Sequence, residues 1–159
     1  MNPPAHPWRR LMGVAYEGVI LFGVVFFFGY GFSAVTQFKG APGALRTAFQ
    51  VFMLLVLGAY FVYFWSDGRR TLPMKTLSLA LQTTAGQPVG AGRAALRCGL
   101  VAGWLLLCLG AAQYLSGWLV LATVVPWLWV LADRDHRSLF DIASGTRLAV
   151  RPVQPLQNA

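Results

Sequence analysis

Glu17 is the residue whose position most strongly suggests chemistry, because it stands inside a long apolar run, residues 11–35. Arg10 precedes it by seven positions. In a helix both side chains project from nearly the same face, about 10 Å apart along the axis. An ionisable group inside a membrane span costs roughly 2–3 kcal/mol and marks either function or a paired structural contact. Glu17 is therefore a proton- or cation-binding carboxylate, one half of a structural ion pair with Arg10, or a glutamate hydrated from the membrane interface.

Asp141 is the second candidate carboxylate, and it ends a charged stretch, residues 133–141. A solvated surface is the usual role of such a charge run. The alternative is a site that Asp141 shares with Glu17 and Arg10, and we predict these three as the ion- or proton-binding residues. Further charges are expected to support them at the same membrane edge: Arg69, Arg70, Asp133 and Arg147.

The sequence holds no pattern typical of an enzyme or of a metal centre. It has no glycine-rich phosphate loop, nucleophile elbow or zinc helix motif. Cys98 and Cys108 lack the spacing of a metal site, so we expect them to be packing residues. An enzyme built on Asp133, Asp141 and His136 is a weaker alternative, since no nucleophile accompanies them. We therefore expect no catalytic residue, no metal and no cofactor.

The composition indicates which elements position these residues. Hydrophobic residues make up 57% of the chain and charged residues 11%, whereas soluble domains carry about a quarter charged residues. The net charge of +8 would suit nucleic acid, but the basic residues flank apolar runs instead of forming a stripe. That placement is typical of membrane proteins beside anionic lipid. We expect the lipid bilayer and anionic headgroups at the basic loops as partners, and no nucleic acid.

Four spans are predicted within a single membrane domain, residues 1–159. The apolar region 98–132 is too long for one span, and Ser116-Gly117 divides it. Because both halves are short for a ~30 Å hydrocarbon core, a re-entrant pair is the alternative. The predicted spans are about 11–35, 47–65, 98–115 and 118–132.

The basic residues predict the orientation of these spans. All of the 13 Lys and Arg residues except Lys39 and Arg46 would lie on one side, which places both termini, the loop 66–97 and the tail 133–159 in the cytoplasm. Apolar alternation over residues 77–83 indicates a strand. The predicted fold is an all-α, four-transmembrane-helix bundle with a short surface strand or hairpin in the central cytoplasmic loop.

Three ordered motifs resemble the RDD family of small membrane proteins, named for one arginine and two aspartates. Arg10 followed seven residues later by Glu17 is similar to the family's arginine and acid in the first span. Residues 71–75 and 86–89, then Arg97, are similar to its middle loop. The end of the chain, Phe140-Asp141-Ile142-Ala143-Ser144-Gly145-Thr146-Arg147, resembles the family's closing HDRLAGTR.

Three positions depart from the family's pattern. Glu17 stands where an aspartate is usual, which keeps the carboxylate but lengthens its reach. Phe140 replaces a usual histidine and so removes a titratable neighbour of Asp141, and Pro73 replaces a common glycine. Transport has been suggested for the family, including cation/proton exchange in some members, and the resemblance implies no more than that.

Two functions follow from these residues. The first is a small transporter or transport subunit whose carboxylates bind a cation or proton, acting as a homo-oligomer because four short helices make a thin pore wall. The second is a non-catalytic structural or accessory membrane protein whose Arg/Glu/Asp network fixes the helix ends. In both cases we expect an integral multi-pass protein of a bacterial inner (plasma) membrane, with both termini cytoplasmic.

Overall fold

Helices dominate the computed structural model, which describes residues 6–133 and 137–150. His136, and the tail beyond residue 150, lie outside the described residues. The elements in chain order are α1 (Pro7–Thr36), α2 (Ala44–Trp65), α3 (Leu72–Thr76), β1 (Leu79–Thr83), α4 (Ala91–Tyr114), a 3₁₀ helix (Gly117–Val124), α5 (Val125–Leu128), a 3₁₀ turn (Trp129–Leu131), α6 (Leu139–Ala143) and β2 (Thr146–Val150).

Three helices of the described part of the chain are long and apolar enough to cross a membrane, namely α1, α2 and α4. Their apolar side chains point outward. No residue of α1 is buried, and Phe22 is 73% exposed. A protein surrounded by water rarely exposes so much continuous apolar surface, whereas lipid solvates it and a helix satisfies its own backbone groups there. The prediction of a helical membrane protein is confirmed at this level.

The region after α4 differs from the predicted fourth span. Gly117–Leu131 (the return segment) is a shorter apolar stretch, in which two 3₁₀ stretches flank α5. Pro126 stands in the first turn of α5, where its missing N–H is tolerated. The return segment packs along α4, where the Trp104 indole N–H donates to the Ala122 carbonyl at 3.2 Å. The fold thus has three long α-helices and one irregular segment in place of four regular helices.

The long helices alternate in direction. α1 and α2 are joined by a short turn, beside which the Phe32 and Phe49 rings pack at 5.3 Å between centroids. At the other end of α2, the Arg97 guanidinium near the start of α4 lies 4.8 Å from the centre of the Trp65 ring. The starts of α1 and α4 and the end of α2 therefore lie together, at what we call the polar end.

The apolar core of the molecule lies at the polar end. Strand β1 pairs antiparallel with β2, with Leu81 opposite Leu148. Leu81, Val89 and Ala94 form a buried cluster, against which Trp65 and Leu148 pack. Burial of apolar surface stabilises a part of a protein that meets water, whereas the spans gain little from it because lipid is as apolar as their side chains.

The strand predicted within residues 77–83 is confirmed as β1, but two of its features differ from expectation. Every residue of β1 is buried, so the strand does not lie on a surface. It pairs with β2 from the tail and does not form a hairpin within the loop. Among the described residues, the loop itself contributes only an isolated bridge, between Gln82 and Pro88. Helix α4 begins at Ala91, inside the predicted loop 66–97.

Candidate functional site

The first turns of α1 carry the predicted site residues on one face. Arg10, Gly13 and Glu17 are spaced by three and four positions, which aligns them along a helix. A Cβ at position 13 would lie 3.4 Å from the Leu79 side chain, so the start of β1 packs against this face of the helix. The helix begins at Pro7, whose fixed φ suits a first turn. The loop and tail therefore pack against this face of α1.

Asp141 is completely buried between two guanidinium groups. Arg10 Nη1 donates to Asp141 Oδ2 at 2.8 Å, and Arg97 Nη1 donates to Oδ1. The Ser138 N–H donates to Oδ2 at 3.1 Å, while the Ser138 hydroxyl accepts from the Asp141 N–H at 3.2 Å. This capping box fixes the carboxylate at the start of α6. One carboxylate thus joins α1, α4 and α6.

The same two arginines also hold strand β2. Arg10 Nη2 donates to the Leu148 carbonyl at 3.4 Å, and Arg97 Nη1 donates to the Thr146 hydroxyl at 3.2 Å. Burial raises the pKa of Asp141, but the charges of Arg97 and Arg10 outweigh it and hold that pKa below its ordinary value of 3.8. Asp141 is therefore an ionised, paired group at neutral pH.

Glu17 belongs to a separate cluster, in which two hydroxyl groups hold it. The Tyr60 hydroxyl donates to Oε1 at 2.6 Å and the Thr71 hydroxyl donates to Oε2 at 2.7 Å. Thr71 is buried and also caps α3, since its oxygen accepts from the Met74 N–H at 3.4 Å. None of the ion pairs among the described residues includes Glu17. An Arg10–Glu17 ion pair, one alternative from the sequence, is therefore wrong.

The predicted trio divides into two parts. The structure brings Arg10 and Asp141 into contact and places Glu17 two helical turns further along the same face. A solvated surface for Asp141 is wrong, because the side chain is completely buried. Sequence reasoning missed the other partners of the two carboxylates: Arg97, Ser138, Tyr60 and Thr71. Of these, Arg97 and Thr71 carried a signal that could have found them, because both belong to the middle-loop residues that resemble a known family.

Two of the predicted supporting charges follow α2. Arg69 pairs with Asp67 at 3.2 Å, and its guanidinium lies 4.5 Å from the centre of the Tyr63 ring. Arg70 is half-buried. Within the described part of the chain, no hydrogen bond joins either arginine to Glu17 or Asp141.

The other two supporting charges lie after the return segment. Asp133 Oδ2 accepts from the Arg137 backbone N–H at 2.9 Å and pairs with its guanidinium at 3.2 Å. Arg147 is half-buried on β2, opposite Gln82 of β1. Among the described residues, no ion pair joins Asp133 or Arg147 to the residues around Asp141, so they do not form one site with it.

Comparison with known families identifies the family of this chain. A family model described as the RDD family matches residues 4–145. The chain belongs to the RDD family. The resemblance to this family is confirmed. Neither curated proteins nor solved structures give a match to this RDD protein.

Replacing Asp141 by asparagine is expected to lower the free energy of unfolding by about 3 kcal/mol or more at neutral pH, because two buried guanidinium groups lose their counter-charge. In the wild type this contribution is present above pH 3.8 and is lost as the pH falls through the lowered pKa of Asp141. The two proteins are therefore expected to converge in acid. Denaturant titration in mixed micelles, from neutral to about pH 2, measures the difference.

Asp67→Asn is the matched control, since Asp67 pairs with Arg69 while its side chain is 60% exposed. Exposed ion pairs contribute about 0–1 kcal/mol, so this variant is expected to resemble the wild type at every pH. Equal losses in the two variants would contradict the role of Asp141. So would a deficit of Asp141→Asn that stayed constant down to acid pH.

Proposed function

We propose that this RDD protein is a small transporter or transport subunit in which Glu17 reversibly binds a proton or a small cation. The observation that carries the proposal is the setting of Glu17. It is a carboxylate within an apolar helix, held by two hydroxyls, and it takes part in no ion pair among the described residues. A carboxylate that must bind and release a cation cannot be permanently paired with a positively charged side chain. Asp141 is held in that way, so we assign it no transport role.

The oxygen atoms of Glu17 and its two hydroxyl partners could bind either a proton or a small cation. As a carboxylate it accepts two hydrogen bonds, and as a carboxylic acid it would donate one to Tyr60 or Thr71, whose hydroxyls can either donate or accept. A hard cation prefers oxygen ligands, and the carboxylate and two hydroxyl groups offer them within hydrogen-bonding distance of each other. Because Thr71 also caps α3, binding or release of a proton or cation at Glu17 would change the hydrogen bonding of the central loop.

The position of Glu17 along α1 suits exchange with water. A helix needs about 20 residues to cross a 30 Å hydrocarbon core, and the stretch from Glu17 to the end of α1 at Thr36 is roughly that long. The turns before Glu17 would then emerge from the core with Arg10. Glu17 would sit at the boundary, where an ion or proton reaches it from the polar end.

The proposal includes four membrane crossings with the polar end in the cytoplasm. The return segment runs from the far end of α4 to the polar end, where the Trp127 ring packs 5.1 Å from the ring of Phe140. Since 3₁₀ helices rise ~2.0 Å per residue, the return segment reaches about 28 Å, close to the thickness of the core. Of the 13 Lys and Arg residues of the sequence, only Lys39 and Arg46 would then lie on the side opposite the cytoplasm. This agrees with the excess of basic residues found in the cytoplasmic loops of membrane proteins.

A second function, a structural or accessory membrane protein, is favoured by a different observation. Both oxygens of Asp141 are bonded to arginine, and those arginines bridge α1, α4 and β2. Such a network fixes the helix ends and needs no exchange of ions. It predicts no ion flux at all, whereas the preferred function predicts flux that depends on Glu17.

The four crossings are tested by labelling single cysteines, placed in a protein with Cys98 and Cys108 replaced by alanine. An impermeant maleimide outside intact cells is expected to label Ala41→Cys and Ser116→Cys, whose positions are exposed at the far end. The control Thr84→Cys, exposed at the polar end, is expected to react only after permeabilisation. Protection of Ser116→Cys from both sides would instead favour a re-entrant pair.

The role of Glu17 is tested by ion and proton flux in proteoliposomes of the purified protein. Glu17→Gln keeps the shape and some hydrogen bonding but cannot bind a cation by charge, so flux is expected to fall at least tenfold. Asp67→Asn, with an exposed carboxylate, is the control and is expected to keep full flux. Thermal unfolding of each variant verifies that it is folded.

Equal flux in wild type and Glu17→Gln would contradict the role of Glu17. An absence of proton, sodium or potassium flux in the wild type would overturn the transport function itself. In that case the accessory function is the better account of the same residues.

A further inference from the structure

Arg147 on strand β2 presents an unused hydrogen-bonding edge. Its Nε and Nη2 atoms are buried and have no hydrogen-bond partner, and none of the ion pairs in the described part of the chain includes it. These two N–H groups point in parallel and form the side of the guanidinium that binds carboxylates and phosphates with two hydrogen bonds. Leaving buried donors unpaired is costly, because they have lost their hydrogen bonds to water.

Gln82, the neighbour of Arg147 across the sheet, also has a buried polar atom without a hydrogen-bond partner in the described part of the chain. Gln82 pairs with Arg147 in the strand register and is 8% exposed, yet its Oε1 atom has no hydrogen-bond partner among the residues that the structure describes. Gly86, in the turn after β1, has φ +82, and a Cβ there would lie 3.9 Å from Arg147 Nη2. The Nε–Nη2 edge of Arg147, the buried amide of Gln82 and the glycine of the turn therefore lie close together.

The charges around β2 favour an anion at this place. Arg97 bonds to Thr146 and Arg10 bonds to Leu148, the residues on either side of Arg147 in the strand. Those two guanidinium groups share the single carboxylate of Asp141. Arg147 adds a third positive charge, so three partly buried guanidinium groups lie around one buried carboxylate, and an anionic ligand would reduce this excess of positive charge.

We propose that Arg147, with Gln82 and the turn at Gly86, binds a phosphate group. The Nε and Nη2 hydrogens would bond to two phosphate oxygens, and the Gln82 amide group, turned over, would donate to a third. The group comes either from an anionic phospholipid headgroup or from free phosphate. This inference is independent of ion exchange at Glu17.

The test uses the full chain, purified and delipidated in a maltoside detergent that contains no phosphate. Thermal unfolding is measured during titration with inorganic phosphate, and separately with phosphatidylglycerol in mixed micelles, against potassium chloride at matched ionic strength. A saturable rise in Tm is expected in at least one titration. A response to the lipid alone identifies the headgroup as the source, and a response to phosphate alone identifies the free anion.

Two variants locate the effect. Arg147→Lys keeps the charge but loses the two-bond edge, so the apparent affinity is expected to fall at least tenfold, while Arg93→Lys, at an exposed position of α4, leaves it unchanged. Gln82→Glu places a carboxylate opposite Arg147, and is expected to raise Tm without ligand and remove the response. The proposal is overturned if the wild type responds to neither ligand, or if Gln82→Glu responds like the wild type.

Discussion

The polar end of this RDD protein depends on one buried charge, the carboxylate of Asp141. An ionised group removed from water is costly unless opposite charges and hydrogen bonds surround it. Arg10 from the first span and Arg97 from the third supply those charges, and Ser138 supplies the backbone donor. Because the two arginines come from distant parts of the chain, satisfying one carboxylate fixes where two spans and the tail meet.

The rest of the architecture follows because one part of the protein is surrounded by lipid and the other by water. The long helices expose their apolar side chains and bury almost nothing, as expected where lipid replaces water. At the polar end the chain instead builds a small apolar core around Leu81, Val89 and Ala94, and closes a two-stranded sheet between the central loop and the tail. The candidate site residues lie where these two parts join, on the face of α1 that carries Arg10, Gly13 and Glu17.

Much of this could be predicted from the sequence, and the failures have physical causes. Long apolar runs specify α1, α2 and α4 because a lipid-exposed helix needs little else, and the spacing of Arg10 and Glu17 placed them on one face. The pairing of β1 with β2 could not be predicted, since α4 and the return segment separate the strands and their alternation specifies no partner. The return segment was predicted as a short helical span or half of a re-entrant pair, and its 3₁₀ geometry was missed because hydropathy does not distinguish α from 3₁₀ helices. The hydroxyls of Tyr60 and Thr71 were missed because such residues are common and only the packing of α2 and α3 on α1 brings them to Glu17.

The central claim is that Arg10 and Asp141 act as a unit that joins the first span to the tail. A double-mutant cycle on the free energy of unfolding in mixed micelles tests it most directly, with Arg10→Met, Asp141→Asn and the double variant. We expect the double variant to be more stable than the sum of the single losses would give, by about 1–3 kcal/mol. Asp141→Asn alone leaves Arg10 without its counter-charge, and Arg10→Met alone leaves Asp141 with only one of its two arginines. Losses that add to within about 0.5 kcal/mol would contradict it, since independent residues behave in that way.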